Sequence, residues 1–172
     1  MVNSATDSQR RTLSFATLDE FLEDAEAMAA TEYKTVGNWN YGQILGHLAT
    51  AMNSSIDGFG FQASWFLRKI IAPLLKNSAL TKPLKPGIKL PKGAEQYLPD
   101  PSLTVEDSLA ECRKAVERLA TETPKAKHPF FGAMASEEWM ALHLRHAELH
   151  MSFVVPVGAL AESTETEVAS AE

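Results

Sequence analysis

The sequence predicts an all-α protein, and the favoured architecture is an antiparallel four-helix bundle. Four stretches place apolar residues three and four positions apart, which is the spacing of a helix that packs one face on a core. Each stretch begins at a residue type that commonly caps helices, and no stretch shows the alternation of a strand. One long connection, rich in proline and lysine, lies between helices two and three of the predicted bundle.

The first helix follows a capping box in which Thr17 and Glu20 satisfy each other's exposed backbone amides. Its apolar spacing continues to about Thr31. The second helix begins at a weaker box formed by Asn40 and Gln43, and it is predicted to end near Asp57.

The connection across residues 59–103 differs in composition from the rest of the chain. It holds six of the nine prolines and seven of the sixteen basic residues, against only Glu95 and Asp100 on the acidic side. Residues 65–71 are predicted to form a short helix that ends at Pro73, because proline blocks a helix interior. The remainder predicts extended, irregular backbone, either as a lid or binding wall or as a plain surface crossover.

Two further helices complete the predicted bundle. Thr104 is predicted to cap the third helix, in which Cys112 lies in a narrow apolar seam as a small core residue rather than a nucleophile. Ser136 is predicted to cap the fourth helix, and Pro156 and Gly158 are predicted to end it.

The length and charge of the chain limit how many domains it can form and which partners it can bind. We expect residues 1–14 to be flexible, residues 15–158 to form a single domain, and the acidic residues 159–172 to be disordered. The formal net charge of −6 argues against nucleic acid as the main partner. No apolar run spans a bilayer comfortably, so no membrane partner is expected. A single cysteine and the lack of a secretion signal predict a cytoplasmic protein without a disulfide.

Histidines on one helical face carry the clearest chemical signal. Residues 139–153 place His143, His146 and His150 within one narrow arc. His146 and His150 stand one turn apart, a spacing that suits two imidazoles on one metal ion. The third ligand is either His47, which flanks the apolar stripe of the second helix, or His143.

A structural interpretation of the same histidines competes with metal binding. Imidazoles at the edge of a core can simply hydrogen-bond to backbone or to Glu148, but a spaced pair plus an inward His47 favours a metal ion. His128, beside a proline in a loop, is predicted to be structural or to lie at the rim of the site. The chain has no glycine-rich phosphate loop, and Ala147 stands where a zinc protease would carry its glutamate.

Three motifs resemble those of a known family. They are G-N-W-N-Y-G-Q-I-L-G-H-L-A at 37–49, H-P-F-F-G-A-M-A-S-E-E-W at 128–139 and H-A-E-L-H at 146–150. With them the chain, over residues 18–155, resembles the DinB/YfiT-like superfamily of metalloenzymes and especially an uncharacterised subgroup within it. The sequence departs from that subgroup at Leu149, Met151 and Ser152, where a histidine and an Arg-Gln pair are frequent.

The resemblance implies a four-helix bundle, often dimeric, that holds a divalent ion (zinc, nickel or iron) through His47, His146 and His150. Characterised members of the superfamily include transferases that depend on a low-molecular-weight thiol, which the metal is thought to activate. A small-molecule substrate and a thiol are therefore the expected partners, with a homodimer as the candidate assembly. The residues expected to support the ligands or line the rim of the pocket are Gln43, His128, His143 and Trp139.

Three hypotheses of function remain at this point. The first is a metal-dependent enzyme of the thiol-transferase type, in which the ion lowers the pKa of a bound nucleophile. The second is a non-enzymatic metal-binding or stress-related bundle that binds a small molecule. The third treats residues 59–75 as an amphipathic element that docks on a membrane or a partner, and it ranks last.

Overall fold

The computed structural model describes residues 9–87 and 94–158, and within these ranges the protein is mostly helical. The five α-helices are α1 (Leu18–Ala29), α2 (Tyr41–Asp57), α3 (Ala72–Thr81), α4 (Val105–Thr121) and α5 (Ser136–Met151). The strands β1 (Tyr33–Thr35) and β2 (Val154–Pro156) form a small antiparallel sheet. The predicted disorder of 159–172 and flexibility of 1–8 lie outside the described residues.

One apolar core is shared by α1, α2, α4 and α5. Its fully buried members include Phe21 on α1, Leu45 on α2, Cys112 on α4 and Ala147 on α5. The α2 helix contacts both α4 and α5, and α1 contacts the same two helices. These are the four segments whose apolar spacing predicted helices. Among the described residues, no helix is both long enough and apolar enough to cross a membrane.

The thiol of Cys112 is enclosed in this core. It donates a hydrogen bond to the Leu45 carbonyl at 3.2 Å, and burial raises its pKa to about 12. The prediction of a small core residue agrees with this environment.

Helix α5 begins and ends at different residues from those predicted. Ala135 is the N-cap and Ser136 is already helical, while the Glu138 carboxylate accepts the Ala135 amide proton at 2.9 Å. The helix ends at Met151, and Pro156 instead ends strand β2. Three-residue strands are too short to show a periodic pattern, so the sheet was not predicted.

Pro73 does not end a helix, which corrects the prediction for this segment. A π-helical turn, Leu67–Ile71, runs directly into α3, and Pro73 lies in the first turn of α3. The Ala72 amide bonds back to the Leu67 carbonyl, five residues away, as a π turn requires. The π turn just before Pro73 replaces the i→i−4 bonding that a proline interrupts, so the helical path continues to Thr81.

Contacts with the helices begin inside the segment that was predicted to be flexible. The Arg11 guanidinium pairs with Asp24 on α1 at 2.6 Å. Phe15 is buried, and its amide donates to the Glu148 carboxylate at 2.8 Å. Glu148 also pairs with Arg145, so this buried carboxylate is neutralised within its own helix.

Two glycines let the chain before α4 lie directly on α2. A Cβ atom at Gly42 would stand 2.1 Å from the carbonyl oxygen of Leu103, and one at Gly46 would stand 2.6 Å from the Leu103 Cδ1 atom. A side chain at either position would therefore push this segment away from the helix. The two glycines lie one turn apart, on the same face of α2.

We expect Gly42→Ala to lower the melting temperature. Alanine gains about 1 kcal/mol of helix propensity, but overpacking against a backbone carbonyl costs about 1–3 kcal/mol or more. Gly46→Ala should lose less, because the end of a flexible Leu side chain can move, and Gly158→Ala, with nothing within 4 Å, should lose nothing. Circular dichroism melts measure all three, and a Gly42→Ala variant as stable as the parent would contradict this packing.

Candidate metal centre

Three imidazoles from two helices meet at one point. His47 comes from α2, and His146 and His150 come from successive turns of α5. One ring nitrogen from each lies within 4.8 Å of the others, and the ring centroids are 4.7–4.9 Å apart. In the part of the chain that the structure describes, this is the group of residues that could hold a metal ion.

The nitrogen spacing is compatible with a shared metal ion. The Nε2 atoms of His47 and His146 are 3.1 Å apart. Bond lengths of about 2.0–2.1 Å place two ligand nitrogens roughly 2.9 Å apart at a right angle and roughly 3.4 Å apart at the tetrahedral angle. The observed distance lies between these limits, so the pair needs little movement to bind one ion.

A backbone carbonyl determines which nitrogen of His47 faces this point. The Nδ1 atom lies 3.0 Å from the carbonyl oxygen of Tyr97, and a carbonyl can only accept, so Nδ1 carries the proton. The Nε2 atom of a neutral ring then presents its lone pair towards His146. Metal-binding histidines are commonly oriented in this way by a carbonyl on the other nitrogen.

Tyr97 is the last residue of a short 3₁₀ turn, Glu95–Tyr97. Its carbonyl begins a segment, residues 97–103, that lies along α2 and is called the strap below. Three side chains of the helix donate to carbonyls of alternate strap residues. The pairs are Asn40 Nδ2 with Pro101 O at 3.1 Å, Gln43 Nε2 with Pro99 O at 3.0 Å, and His47 Nδ1 with Tyr97 O at 3.0 Å. Gln43 therefore supports His47 indirectly, through the strap, and also closes the capping box with Asn40.

The hydroxyl of Tyr97 anchors the same end of the strap. It lies 2.9 Å from the Ser54 hydroxyl and donates to the Phe59 carbonyl at 3.1 Å. The ring of Tyr97 also stacks near Phe59. Tyr97 is thus fixed at two places: its backbone carbonyl bonds to His47, and its side-chain hydroxyl bonds to Ser54 and Phe59.

Trp39 covers the ligands from the start of α2, and the sequence reasoning did not identify it. Its ring is parallel to that of His150, with centroids 5.2 Å apart, and its centroid is 4.9 Å from that of His47. The only sequence signal was its place in the G-N-W-N motif. Tyr97 was also missed, because a backbone carbonyl contact leaves no signature in residue type.

His143, His128 and Trp139 pack mainly against one another. Trp139 is buried and stacks on His143 at 5.6 Å, and His128 lies 5.4 Å from the same indole. The His143 Nε2 atom bonds to the Ser55 hydroxyl at 3.1 Å. His143 also borders a surface depression of about 150 Å³ that contains none of the three clustered imidazoles.

His128 caps a tight turn of its own. Its Nδ1 atom accepts the amide protons of Phe130 and Phe131 at 3.2 and 3.1 Å. Hydrogen-bonded structural histidines were the competing interpretation for the whole set. That interpretation describes His128 and His143, whereas His47, His146 and His150 converge.

Burial keeps the converging imidazoles uncharged near neutral pH. It lowers the pKa of His47, and it lowers the pKa of His146 and His150 well below the usual value. A proton on one imidazole disfavours a proton on the next, which lowers the pKa of both further, and the Arg10 charge also lowers that of His150. Neutral imidazole is the form that binds a metal ion, so the lone pairs are available.

Comparison with known proteins finds one family. A family model described as "Protein of unknown function (DUF1569)" matches residues 7–157. No curated protein and no solved structure matches the chain.

The buried histidines outside the cluster make stability depend on pH. Burial lowers the pKa of His143 to about 4, and burial with the charge of His143 lowers that of His128 to about 3. Unfolded, both have a pKa of about 6.5, so between about pH 6.5 and 4 the unfolded state binds more protons. The free energy of unfolding is therefore not reduced by these two histidines above about pH 7, and it falls as the pH is lowered below that.

We expect each of these histidines to steepen the loss of stability by about 1.4 kcal/mol per pH unit below pH 6.5. Denaturant unfolding of protein kept in a chelator, at several pH values from 8 to 4.5, measures the slope. His143→Gln should make this slope shallower by about 1.4 kcal/mol per pH unit, the contribution of one histidine. An unchanged slope in this variant would contradict the assignment of His143 as a buried neutral ring.

Proposed function

The chain belongs to the DUF1569 family, whose function is unknown, and we propose that it binds one divalent metal ion through His47, His146 and His150. The convergence of these imidazoles from α2 and α5 carries the proposal. A second support is the Tyr97 carbonyl, which accepts the hydrogen bond of the ring proton on Nδ1 and so leaves the inward Nε2 atom of His47 with a lone pair for a metal ion.

The donor set favours zinc or nickel over iron. Imidazole suits all three metals, but non-haem iron enzymes commonly combine two histidines with one carboxylate. The clustered group in the described residues contains three histidines and no Asp or Glu. Three protein ligands that leave further coordination positions open are typical of catalytic zinc sites.

An antiparallel four-helix bundle is the architecture that we propose for this domain. It is supported by the core that α1, α2, α4 and α5 share, with α3 packed on α5. The resemblance of the G-N-W-N and H-A-E-L-H motifs to the DinB/YfiT-like superfamily supports the same arrangement and allows a homodimer.

The proposed activity is that of a metal-dependent enzyme, a transferase that activates a low-molecular-weight thiol. A bound divalent ion would supply Lewis acidity at its open positions. As whole residues, His146 and His150 are intermediate in exposure, which supports access from solvent to one side of the cluster. Trp39 lies over His150 and restricts where a small molecule can approach. The thiol itself is proposed from the superfamily resemblance.

A non-enzymatic metal-binding module is the second candidate. The observation that favours it is the tight packing around the imidazoles, where ring centroids lie within 5.2 Å of one another. A surface depression of about 510 Å³ is instead lined by residues 58–62 and 126–127. A structural ion in a site with no room for a substrate would explain both the tight ring packing and the distance of this depression from the imidazoles.

Metal analysis after purification tests the proposed site. We expect about one equivalent of zinc or nickel in the parent protein, and a loss of at least ~90% of it in His47→Ala and His150→Ala. This loss is expected because two imidazoles bind a single ion far less tightly than three. His143→Gln is the matched control, since this histidine lies on the same helix outside the cluster, and it should retain the metal. Full occupancy in both alanine variants would end the proposal.

Cobalt substitution separates the enzyme from the binding module. We expect the visible absorption of the cobalt(II)-loaded protein to change when low-molecular-weight thiols are added, because the open positions admit a further ligand. A spectrum that is insensitive to thiols and to small anions, with metal content intact, would favour the closed module.

Tyr97→Phe tests how the strap orients His47. Loss of the hydroxyl frees one anchor of the strap, so we expect metal affinity to fall by about 10-fold, the lower end of the range for groups that orient metal ligands. Ser54→Ala should give a smaller loss, and the double variant should resemble Tyr97→Phe, because the two hydroxyls form one contact. Competition with a chromogenic chelator measures these affinities. Independent, additive losses would contradict a shared anchor.

A further inference from the structure

An apolar surface on the side of α3 turned away from α5 is not used by the proposed metal site. Six large apolar side chains of the π turn, its approach and α3 form this apolar face, and all are substantially exposed. They are Trp65 (68%), Phe66 (57%), Leu67 (37%), Ile70 (45%), Leu74 (76%) and Leu75 (54%). Isolated exposed apolar residues are ordinary, but six within eleven consecutive positions are not.

The opposite side of the same helical segment is occupied by the rest of the protein. Ala72 is buried, and Lys76 pairs with Glu138 of α5 at 2.7 Å. Helix α3 packs on α5 along this side. Phe66, Ile70 and Leu74, four positions apart, follow the outward line. The large apolar side chains of this segment therefore face solvent, while a small residue and an ion pair face the rest of the protein.

In the sequence, the apolar face belongs to a segment that has basic residues and no acidic ones. Residues 58–94 contain seven of the sixteen Lys and Arg residues and none of the twenty-two Asp and Glu residues. The rest of the chain thus has thirteen more acidic than basic residues. Lys69, Lys82 and Lys85 are exposed in the described part of this segment. The apolar face thus belongs to a net-positive segment of an otherwise negative chain.

We propose that the apolar face binds an anionic lipid surface, with α3 lying in the plane of the interface. Apolar and aromatic side chains enter the boundary between headgroups and acyl chains, while nearby lysines reach lipid phosphates. The negative remainder of the chain is repelled by the same surface, so the charge separation orients the protein with this face towards the lipid. This binding is peripheral and revises the expectation of no membrane partner.

A second copy of the chain fits the face less well. A two-fold symmetric contact places the same patch on both subunits against itself. Two segments that each carry seven basic and no acidic residues would then face one another, and such like-charge contacts are unfavourable. An anionic bilayer supplies both the apolar layer and the opposite charge. A second copy and an acidic protein remain outcomes of the test.

Vesicle flotation with the full chain tests the proposal. We expect binding to vesicles that contain phosphatidylserine in phosphatidylcholine, and at least ~10-fold weaker binding to phosphatidylcholine alone. Phe66→Ser combined with Leu74→Ser should reduce binding at least ~10-fold, because two exposed anchors are lost. Lys69→Gln should reduce it about fivefold, as expected for one basic residue near an anionic surface.

Matched controls separate these effects from unfolding and general charge. Leu98 is as exposed as Phe66, at 57%, and Leu98→Ser should leave vesicle binding unchanged. Lys125→Gln removes an exposed lysine outside the segment and should also have no effect. Circular dichroism melts check that each variant is folded. Trp65 should give a blue shift of tryptophan emission on binding, which Trp65→Phe removes.

Three results would overturn the proposal. One is equal binding to neutral and anionic vesicles. Another is that the parent protein does not bind vesicles and is a dimer by light scattering, whereas the Phe66→Ser, Leu74→Ser variant is a monomer. That result would assign the apolar face to contact with a second copy of the chain. The third is an absence of vesicle binding in a monomeric parent, which would leave an acidic protein as the occupant.

Discussion

The arrangement of the site depends on a row of hydrogen bonds between helix α2 with its N-cap and the strap that follows the 3₁₀ turn. Polar side chains of α2 donate to every second carbonyl of the strap, ending with the bond from His47 to Tyr97. The glycines on α2 permit the close approach, and the prolines of the strap have no amide proton that would need a partner there. These hydrogen bonds orient the Nε2 atom of His47 on α2 towards the ring nitrogens of His146 and His150 on α5.

The histidines of α5 belong to two separate groups because they lie at different heights along the helix axis, although they face the same side. His143 and His150 point to nearly the same side of α5, yet seven residues separate them by about 10 Å along the axis. His150 therefore reaches the level of His47, and His143 reaches the level of Ser55, two turns further along α2. The two ends of this interface therefore differ: at one end three imidazoles meet, and at the other His143 is hydrogen-bonded to Ser55.

Local patterns predicted the helices and the three imidazoles, whereas contacts through the backbone were not predictable. Capping residues and apolar spacing identify α1, α2 and α4 because both signals are confined to neighbouring residues. The spaced pair on α5 and the inward position of His47 follow from helical periodicity. The π turn before Pro73 and the Tyr97 carbonyl contact depend on which segments pack together, and no single residue type indicates them.

The placement of the only sulfhydryl in the sequence has a chemical consequence. Cys112 is fully buried between α2 and α4, with its thiol proton on a carbonyl and its thiolate strongly disfavoured. The described chain therefore offers no accessible thiol to compete for a soft cation or to be consumed by oxidants. Any thiolate chemistry at this fold would have to use a diffusible thiol, and electrophilic cysteine reagents should leave the folded chain unlabelled.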